Sequence, residues 1–210
     1  MALPVQRKTF CWTDLQAWPE GERWELIDGE AVAMSPATSR HQFVAMQLTG
    51  QLFNHFRGKR CQPWAAPMAV KLSDHDVVEP DLFVVCDPGQ VKRLHIEGPP
   101  ALIVEVLSDS TLRHDRVTKF RLYEQAGVKE YWLIHPYPSL LEVYVLSRGR
   151  YRLHGGCERH EKPKSPSFPD LDVDLGAVFG FPLEPGEAAT MVHESVPPYA
   201  ARPRRPSATR

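Results

Sequence analysis

The order of the apolar segments predicts an α/β or α+β fold, in which a central mixed sheet is flanked by helices. Two segments, 81–86 and 101–107, are near-continuous apolar runs, which are typical of strands buried on both faces of a sheet. Residues 39–56 instead repeat their apolar residues at helical spacing, and 111–126 form a second helical segment. The full predicted order is an N-terminal β-hairpin, a helix, three strands, a helix, a strand and a C-terminal β-meander.

The N-terminal region is expected to begin with a short helix capped by Thr13, followed by the hairpin. The segment RWELIDGEAVAMS alternates around Asp28-Gly29, a dipeptide that is strongly favoured in two-residue hairpin turns. The next helix should pack on a sheet, because its apolar residues share one face: Phe43, Val44, Leu48, Leu52 and Phe56.

The three strands after this helix are predicted around 64–72, 81–86 and 101–107. The second helix should stop at Gly127, since glycine is favoured just past a helix end. The segments EYWLIHP and LLEVYVLSRGRYRLHG then predict the meander, with a turn at Arg148-Gly149.

The C-terminal region changes in composition after Gly155, where prolines become frequent. We expect a single domain over residues 1–185 and a disordered tail rich in proline and arginine over 186–210. Such a tail has too few apolar residues to offset the entropy lost on ordering.

Charge and composition limit the functional classes. The net charge is −1, but the segment from Ser195 onward carries four arginines and no acid, which leaves the rest of the chain at −5. A body of that sign should contact phosphate only through a local basic patch or a metal ion. No apolar run is long enough for a spanning helix, and phosphate-loop and dinucleotide motifs are absent, so we expect no membrane and no organic cofactor.

The four cysteines form no CxxC pair, and Cys86 ends the apolar run LFVVC. A buried free thiol is the usual state at such a position. This usage favours a reduced compartment, and we therefore expect a cytoplasmic protein.

Two carboxylates occur in unusual positions. Glu105 lies inside the apolar run ALIVEVL, where an unpaired ionised carboxylate would cost several kcal/mol. Asp81 opens the neighbouring apolar strand, directly after Pro80. Two acids at the ends of adjacent strands can share Mg²⁺ or Mn²⁺, both of which prefer oxygen ligands. A structural salt bridge at Glu105 is the alternative interpretation.

The second helix supplies a cation near these acids. Asp115, Lys119 and Tyr123 stand at i, i+4 and i+8 and therefore share one stripe of the helix. A solvated Asp-Lys pair would explain the first two residues equally well. Four basic residues between 111 and 121 also predict a patch that faces phosphate, with Arg113 and Arg116 as the contacts.

These motifs together resemble the Uma-two family of restriction endonucleases over roughly residues 13–155. The resemblance rests on the order and spacing of ELIDGE (Glu25–Glu30), Ser35-Pro36 with His41, Pro80-Asp81, GPPALIVEVLSDST (Gly98–Thr111), Asp115 with Lys119 and Tyr123, and GVKEYWLIHP (Gly127–Pro136). It implies a restriction-endonuclease-like fold and metal-dependent hydrolysis of phosphodiester bonds. Domain 1–185 would accordingly be nuclease-like.

The resemblance also assigns roles to individual residues. Asp81 and Glu105 would bind the metal, and the motif lysine would stand at position 107, which holds Leu107. Members of the family resemble one another in placing this lysine on the following helix, so Lys119 is the expected third catalytic residue. The secondary candidates are Glu25, His41, Asp115 and Tyr123. Two other positions depart from the usual family pattern: Asp109 and His135.

The expected function is therefore a metal-dependent endonuclease that hydrolyses DNA with Mg²⁺ or Mn²⁺. The alternative is an inactive module of the same fold that binds DNA or protein, since the lysine is displaced and the body is acidic. A homodimer is compatible with the first function, because dimers are common where both strands of a duplex are cut.

Overall fold

Two mixed β-sheets dominate the structure, a computed structural model that describes residues 9–19, 21–108, 112 and 114–182. The predicted tail at 186–210 and residues Asp109 and Arg113 lie outside this described part. The strands are β1 Trp24–Ile27, β2 Glu30–Ala33, β3 Gln62–Ala65, β4 Ala69–Lys71, β5 Val77–Val78, β6 Leu82–Val85, β7 His95–Glu97, β8 Leu102–Val106, β9 Glu130–His135, β10 Leu140–Ser147 and β11 Arg150–Glu158.

Helices connect and cover these strands. The α-helices are α1 Trp12–Gln16, α2 Ser39–Phe56, α3 Phe120–Ala126 and α4 Leu175–Val178. A 3₁₀ turn spans Pro88–Gln90, and a π-helical turn over His114–Lys119 runs directly into α3. No helix in the described ranges is both long and apolar enough to cross a membrane.

The larger sheet has the strand order β11-β10-β9-β8-β6-β3, and the smaller one has β2-β1-β5-β4-β7. In the larger sheet β8 and β9 are parallel, and the other neighbours are antiparallel. The predicted mixed sheet with its C-terminal meander is thereby confirmed. The N-terminal hairpin is also present, but it belongs to the smaller sheet, which the sequence did not separate from the central one.

The central strands of the larger sheet, β6, β8 and β9, are buried on both faces because they lie between two apolar layers. Leu102, Val104 and Val106 of β8 face the layer that contains α2. Ile103 and Leu107 face the opposite layer, together with the helix α3 and residues of the smaller sheet. This alternation explains why the sequence of β8 is apolar throughout, and it directs Glu105 toward the second layer.

Helix α2 has the predicted bounds. Thr38 caps its N-terminus by accepting a hydrogen bond from the backbone N–H of His41 at 3.2 Å. The residues predicted to form its apolar face include all four that the structure buries: Val44, Leu48, Leu52 and Phe56.

The second predicted helix is more irregular than its sequence suggested. Its described part begins as the π-helical turn and continues as α3, which ends at Gly127 with a φ of 85°. A left-handed φ of this kind is the reason that glycine terminates helices. The wider π turn places Asp115 and Lys119 on the buried side of the segment.

Thr13, which was expected to cap the first helix, lies inside α1, because the N-cap residue of that helix is Cys11.

Two further expectations from the sequence are wrong. The single strand predicted around 64–72 is divided into β3 and β4, which belong to different sheets. Cys86 is not a buried free thiol, because it forms a disulfide bond with Cys61. The cause is the antiparallel pairing of Gln62 with Val85, which brings the two flanking cysteines together.

The packing of α2 on the sheet predicts a large difference between adjacent leucine and phenylalanine positions. Leu52 is fully buried, and replacing it with alanine should lower the free energy of unfolding by about 2–5 kcal/mol through lost contacts and a cavity. Phe53 is 55% exposed, so Phe53→Ala should change it by less than about 0.5 kcal/mol. Urea denaturation of both variants measures the two values, and equal losses would contradict this orientation of α2.

Candidate active site

The pairing of β6 with β8 brings the two predicted metal ligands together. Leu82 lies opposite Val104 in antiparallel register, so Asp81 and Glu105, each one residue further, are neighbours. The backbone N–H of Asp81 lies 3.4 Å from Glu105 Oε2. Asp81 Oδ2 accepts a hydrogen bond of 2.8 Å from the N–H of Val106. The side chains are therefore positioned by the ends of two central strands.

Glu105 is buried and is held by two donors from the π turn and α3. Its Oε1 accepts hydrogen bonds from Lys119 Nζ at 3.0 Å and from the Tyr123 hydroxyl at 2.7 Å. Burial and the adjacent Glu105 raise the pKa of Tyr123 well above its usual value, so the phenol stays protonated and donates. Both donors use the same oxygen, and Oε2 faces the Asp81 backbone.

Lys119 is only 4% exposed, which excludes the alternative of a solvated Asp-Lys pair. Its Nζ lies 2.8 Å from Glu25 Oε1, 3.0 Å from Glu105 Oε1 and 3.7 Å from Asp115 Oδ1. Burial by itself would lower the pKa of Lys119, but these three carboxylates raise it well above the usual value. The ammonium is therefore a permanent positive charge inside the protein.

Glu25 enters the site from β1 of the smaller sheet. It is 2% exposed, and its Oε1 also accepts a 2.9 Å hydrogen bond from the N–H of Glu79. Burial by itself would raise the pKa of Glu25. The charge of Lys119 and hydrogen bonds from His114, Lys119 and Glu79 outweigh this effect and lower the pKa to about 2. Glu25 is therefore ionised and serves as the fixed counter-ion of Lys119.

Leu107 occupies the place at which the family motif would have its lysine. It is buried in the same apolar layer as Ile103 and Tyr123, and its N–H bonds to the carbonyl of Ile134. Residues 105 and 107 face the same side of the sheet, so a lysine at position 107 would lie beside the Glu105 carboxylate. Lys119 reaches this same carboxylate from the π turn. The expectation that the helix supplies the cation thus has a direct geometric basis.

His41 lies beside Asp81, with 3.1 Å between Nε2 and Oδ2. Burial lowers the pKa of His41, but the hydrogen bond and the charge of Asp81, with a contribution from Asp115, raise it above its usual value. The structure thus brings His41, a secondary candidate from the sequence, into contact with a predicted metal ligand.

The acids outnumber the cations at this site, and Glu105 shows the effect. Burial raises its pKa; Lys119 counteracts this, and Asp115, Asp81 and Glu25 raise it further, so that it lies well above the usual value. A divalent cation next to Asp81 and Glu105 would compensate this excess of negative charge.

The described residues contain no group of three His, Cys, Asp or Glu side chains arranged as a ready-made metal site. Mg²⁺ is commonly bound through only one or two carboxylates, with water and substrate phosphate completing the octahedron. Asp81 and Glu105 fit such a partly hydrated ion.

The predicted phosphate contacts are only partly described. Arg116 forms an ion pair with Glu142, and its guanidinium lies 3.1 Å from His135 Nε2, so it already has partners within the protein. Sequence reasoning missed Glu142, and it also missed His114, whose Nε2 lies 3.5 Å from Glu25 Oε2. Neither has a motif around it: His114 contacts Glu25 from a segment distant in sequence, and Glu142 reaches His135 through the pairing of β10 with β9.

Comparison with known proteins identifies the family of this chain. A family model described as "Putative restriction endonuclease" (Uma2) matches residues 12–176. The chain belongs to the Uma2 family. Over 131 residues the chain is also 30% identical to the "Uncharacterized protein slr1290" of Synechocystis sp., and the match covers 60% of this chain and 69% of that protein.

A solved structure resembles this member of the Uma2 family. It is described as "a putative nuclease belonging to DUF820" from Anabaena variabilis, and its TM-score is 0.67. The match covers 81% of this chain and 98% of the other, with 17% sequence identity. The restriction-endonuclease-like fold is thus supported by a protein of very different sequence.

The pairing of Glu25 with Lys119 predicts a pH-dependent loss in the variant Glu25→Gln. A carboxylate whose pKa is about 2 in the folded protein stabilises it above the unfolded pKa of 4.5, and this stabilisation disappears as the pH falls toward 2. At pH 7 the free energy of unfolding of the variant should be about 3 kcal/mol lower than that of the wild type. Near pH 3 the difference should be about half as large.

Denaturant titrations at pH 7, 5, 4 and 3 measure this difference. The control is Glu158→Gln on the exposed strand β11, which should stay within about 0.5 kcal/mol of wild type at each pH. A deficit in Glu25→Gln that does not change with pH would show that Glu25 is not held as an ion.

Proposed function

We propose that this Uma2 protein is a divalent-metal-dependent endonuclease that hydrolyses phosphodiester bonds in DNA. The observation that carries the proposal is the convergence of Asp81, Glu105 and Lys119 at the ends of β6 and β8. Two adjacent carboxylates with one buried ammonium form the minimal set for metal-assisted hydrolysis of a phosphodiester.

Asp81 and Glu105 are the residues that would hold Mg²⁺ or Mn²⁺. A bound divalent ion supplies Lewis-acid activation of the phosphoryl oxygen and lowers the pKa of a coordinated water. Asp81 is oriented for this role by the N–H of Val106, and Glu105 by Lys119 and Tyr123. Because both donors bind Oε1, the Oε2 atom of Glu105 is the one directed to the Asp81 side.

Lys119 would stabilise the negative charge that develops on the phosphate oxygens. Glu25 holds the ammonium from the side opposite to the central sheet, so Lys119 keeps its position when Glu105 shares its charge with a metal. Such preorganised charge, placed in a water-poor environment, is among the largest contributions to catalysis.

DNA is the proposed substrate because the family model is described as "Putative restriction endonuclease". The rival function is an inactive module that binds DNA with the same fold. The two differ in one measurement, the cleavage of supercoiled plasmid with Mg²⁺, Mn²⁺ or EDTA. Metal-dependent nicking supports the endonuclease, and binding without nicking supports the module.

Metal binding can be tested without a DNA substrate. Mg²⁺ or Mn²⁺ should raise the melting temperature of the wild type by several degrees, since a ligand at about 100 times its Kd adds about 2.7 kcal/mol. Asp81→Asn should abolish this rise because it removes one of two carboxylate ligands. Asp170→Asn is the matched control, as Asp170 is an exposed surface acid paired with Lys59. An equal metal response in all three proteins would refute the shared site.

The catalytic role of Lys119 can be separated from its structural role. Lys119→Met leaves buried carboxylates without their cation and should cost about 3–5 kcal/mol of stability. The double variant Glu25→Gln/Lys119→Met removes one acid with the cation, and it should recover part of this stability. Both variants should cleave plasmid about 10²–10³-fold more slowly than wild type at equal folded concentration.

Lys119→Arg and Glu105→Gln complete the comparison. Lys119→Arg keeps the charge but not the geometry, so it should retain stability better than activity. Glu105→Gln sets the background rate expected for a site without its metal ligand. Wild-type cleavage by the folded double variant would show that Lys119 has no catalytic role.

A further inference from the structure

A second charged cluster lies next to the candidate active site, and it consists of Arg116, His135 and Glu142. His135 ends β9, whose parallel pairing with β8 aligns Ile134 with Val106. Val106 is the residue whose N–H bonds to Asp81, so His135 projects from the same edge of the sheet. Arg116 directly follows Asp115 on the π turn, and Glu142 lies on β10.

The contacts of this cluster converge on a single carboxylate oxygen. Glu142 Oε2 accepts a hydrogen bond from Arg116 and lies 3.0 Å from His135 Nε2. Burial by itself would raise the pKa of Glu142. His135 and Arg116 outweigh this effect and keep the pKa below its usual value. The cluster thus contains one anionic oxygen between an arginine and an imidazole.

Arg116 retains unused binding capacity in this arrangement. Within the described part of the chain, its buried Nε has no hydrogen-bond acceptor. A guanidinium has five N–H donors in a planar fork that matches two oxygens of a phosphate. A buried N–H donor without an acceptor is uncommon in folded proteins and calls for a missing partner. One third of the side chain is exposed, so an anion can approach from solvent.

We infer that Arg116 and His135 form a binding site for a DNA backbone phosphate other than the one cleaved, and that Glu142 Oε2 occupies the position of a phosphate oxygen before DNA binds. This inference rests on the proposed function. A phosphate oxygen has the same charge and hydrogen-bonding behaviour as a carboxylate oxygen, and a second one would supply the acceptor that Arg116 Nε lacks. DNA binding thus exchanges Glu142 for phosphate.

This exchange makes Glu142 a competitor of the substrate. Each DNA molecule that binds must displace an ion pair that is already formed, so Glu142 weakens affinity without touching the metal ligands. The site would suppress binding of weakly held anions while allowing a strand that also contacts a metal ion at Asp81 and Glu105.

The test is equilibrium binding of a short labelled DNA duplex to the full-length protein in EDTA, which prevents cleavage. Glu142→Gln should bind about tenfold more tightly than wild type, because the competing charge is removed. Asp172→Asn is the matched control, since it breaks an exposed ion pair with Lys162 and changes the net charge equally. Its affinity should change less than about twofold.

Arg116→Gln decides whether the gain belongs to this site. The variant should bind more weakly, and the slope of log K against log salt should decrease by about 0.9, the value for one phosphate contact. In this background Glu142→Gln should give no gain. Should Glu142→Gln fail to fold, the reduced slope of Arg116→Gln still tests the phosphate contact.

The outcomes separate this inference from the proposed function. An equal gain from Glu142→Gln with and without Arg116, or an unchanged slope in Arg116→Gln, overturns the phosphate site while leaving plasmid cleavage as the test of the nuclease. Binding with the predicted differences but without metal-dependent cleavage supports the phosphate site and refutes the nuclease. A wild-type protein that binds no DNA in EDTA overturns the phosphate site and leaves plasmid cleavage to decide the nuclease.

Discussion

The burial of Lys119 between Glu25 and Glu105 is the interaction on which the candidate site depends. Glu25 comes from the smaller sheet, Glu105 from the larger one, and Lys119 from the π turn between them. A buried ion pair stabilises little in itself, but the removal of one member leaves an uncompensated charge. The buried charges are therefore compensated only when the two sheets and the π turn are correctly placed relative to one another.

The same arrangement explains why the two acids that contact Lys119 behave differently. Glu25 receives a backbone N–H and the ammonium, so its pKa is about 2. Burial raises the pKa of Glu105, and the charges of Asp115, Asp81 and Glu25 add to this rise, so the pKa stays high despite the same ammonium. One carboxylate is thus committed to positioning the cation, and the other carries the negative charge that a metal would offset. Glu25 thus compensates the charge of Lys119, whereas Glu105 is the glutamate available to a metal ion.

Much of this fold could be predicted because its signals are local. The Asp28-Gly29 turn, the apolar face of α2 and the apolar runs of β6 and β8 follow from sequence spacing alone. The separation of β3 and β4 into different sheets and the Cys61–Cys86 bond depend on strand pairing, which sequence spacing does not specify. Asp81, Glu105 and Lys119 could be selected from their unusual context and the family resemblance. The contacts of Glu142 with Arg116 and His135 could not be predicted, since an acid on a strand of alternating burial has no distinguishing pattern.

The origin of Glu25 in the smaller sheet also has a consequence for the order of folding. Its contact with Lys119 joins segments far apart in sequence, and closing such long loops costs chain entropy before any contact compensates it. The hairpin and the strands that carry the acids can form earlier from shorter-range pairings. During synthesis Lys119 also emerges after Glu25, Asp81 and Glu105. A nascent chain therefore holds its acids without their cation, and a competent site appears only once the helical segment has docked.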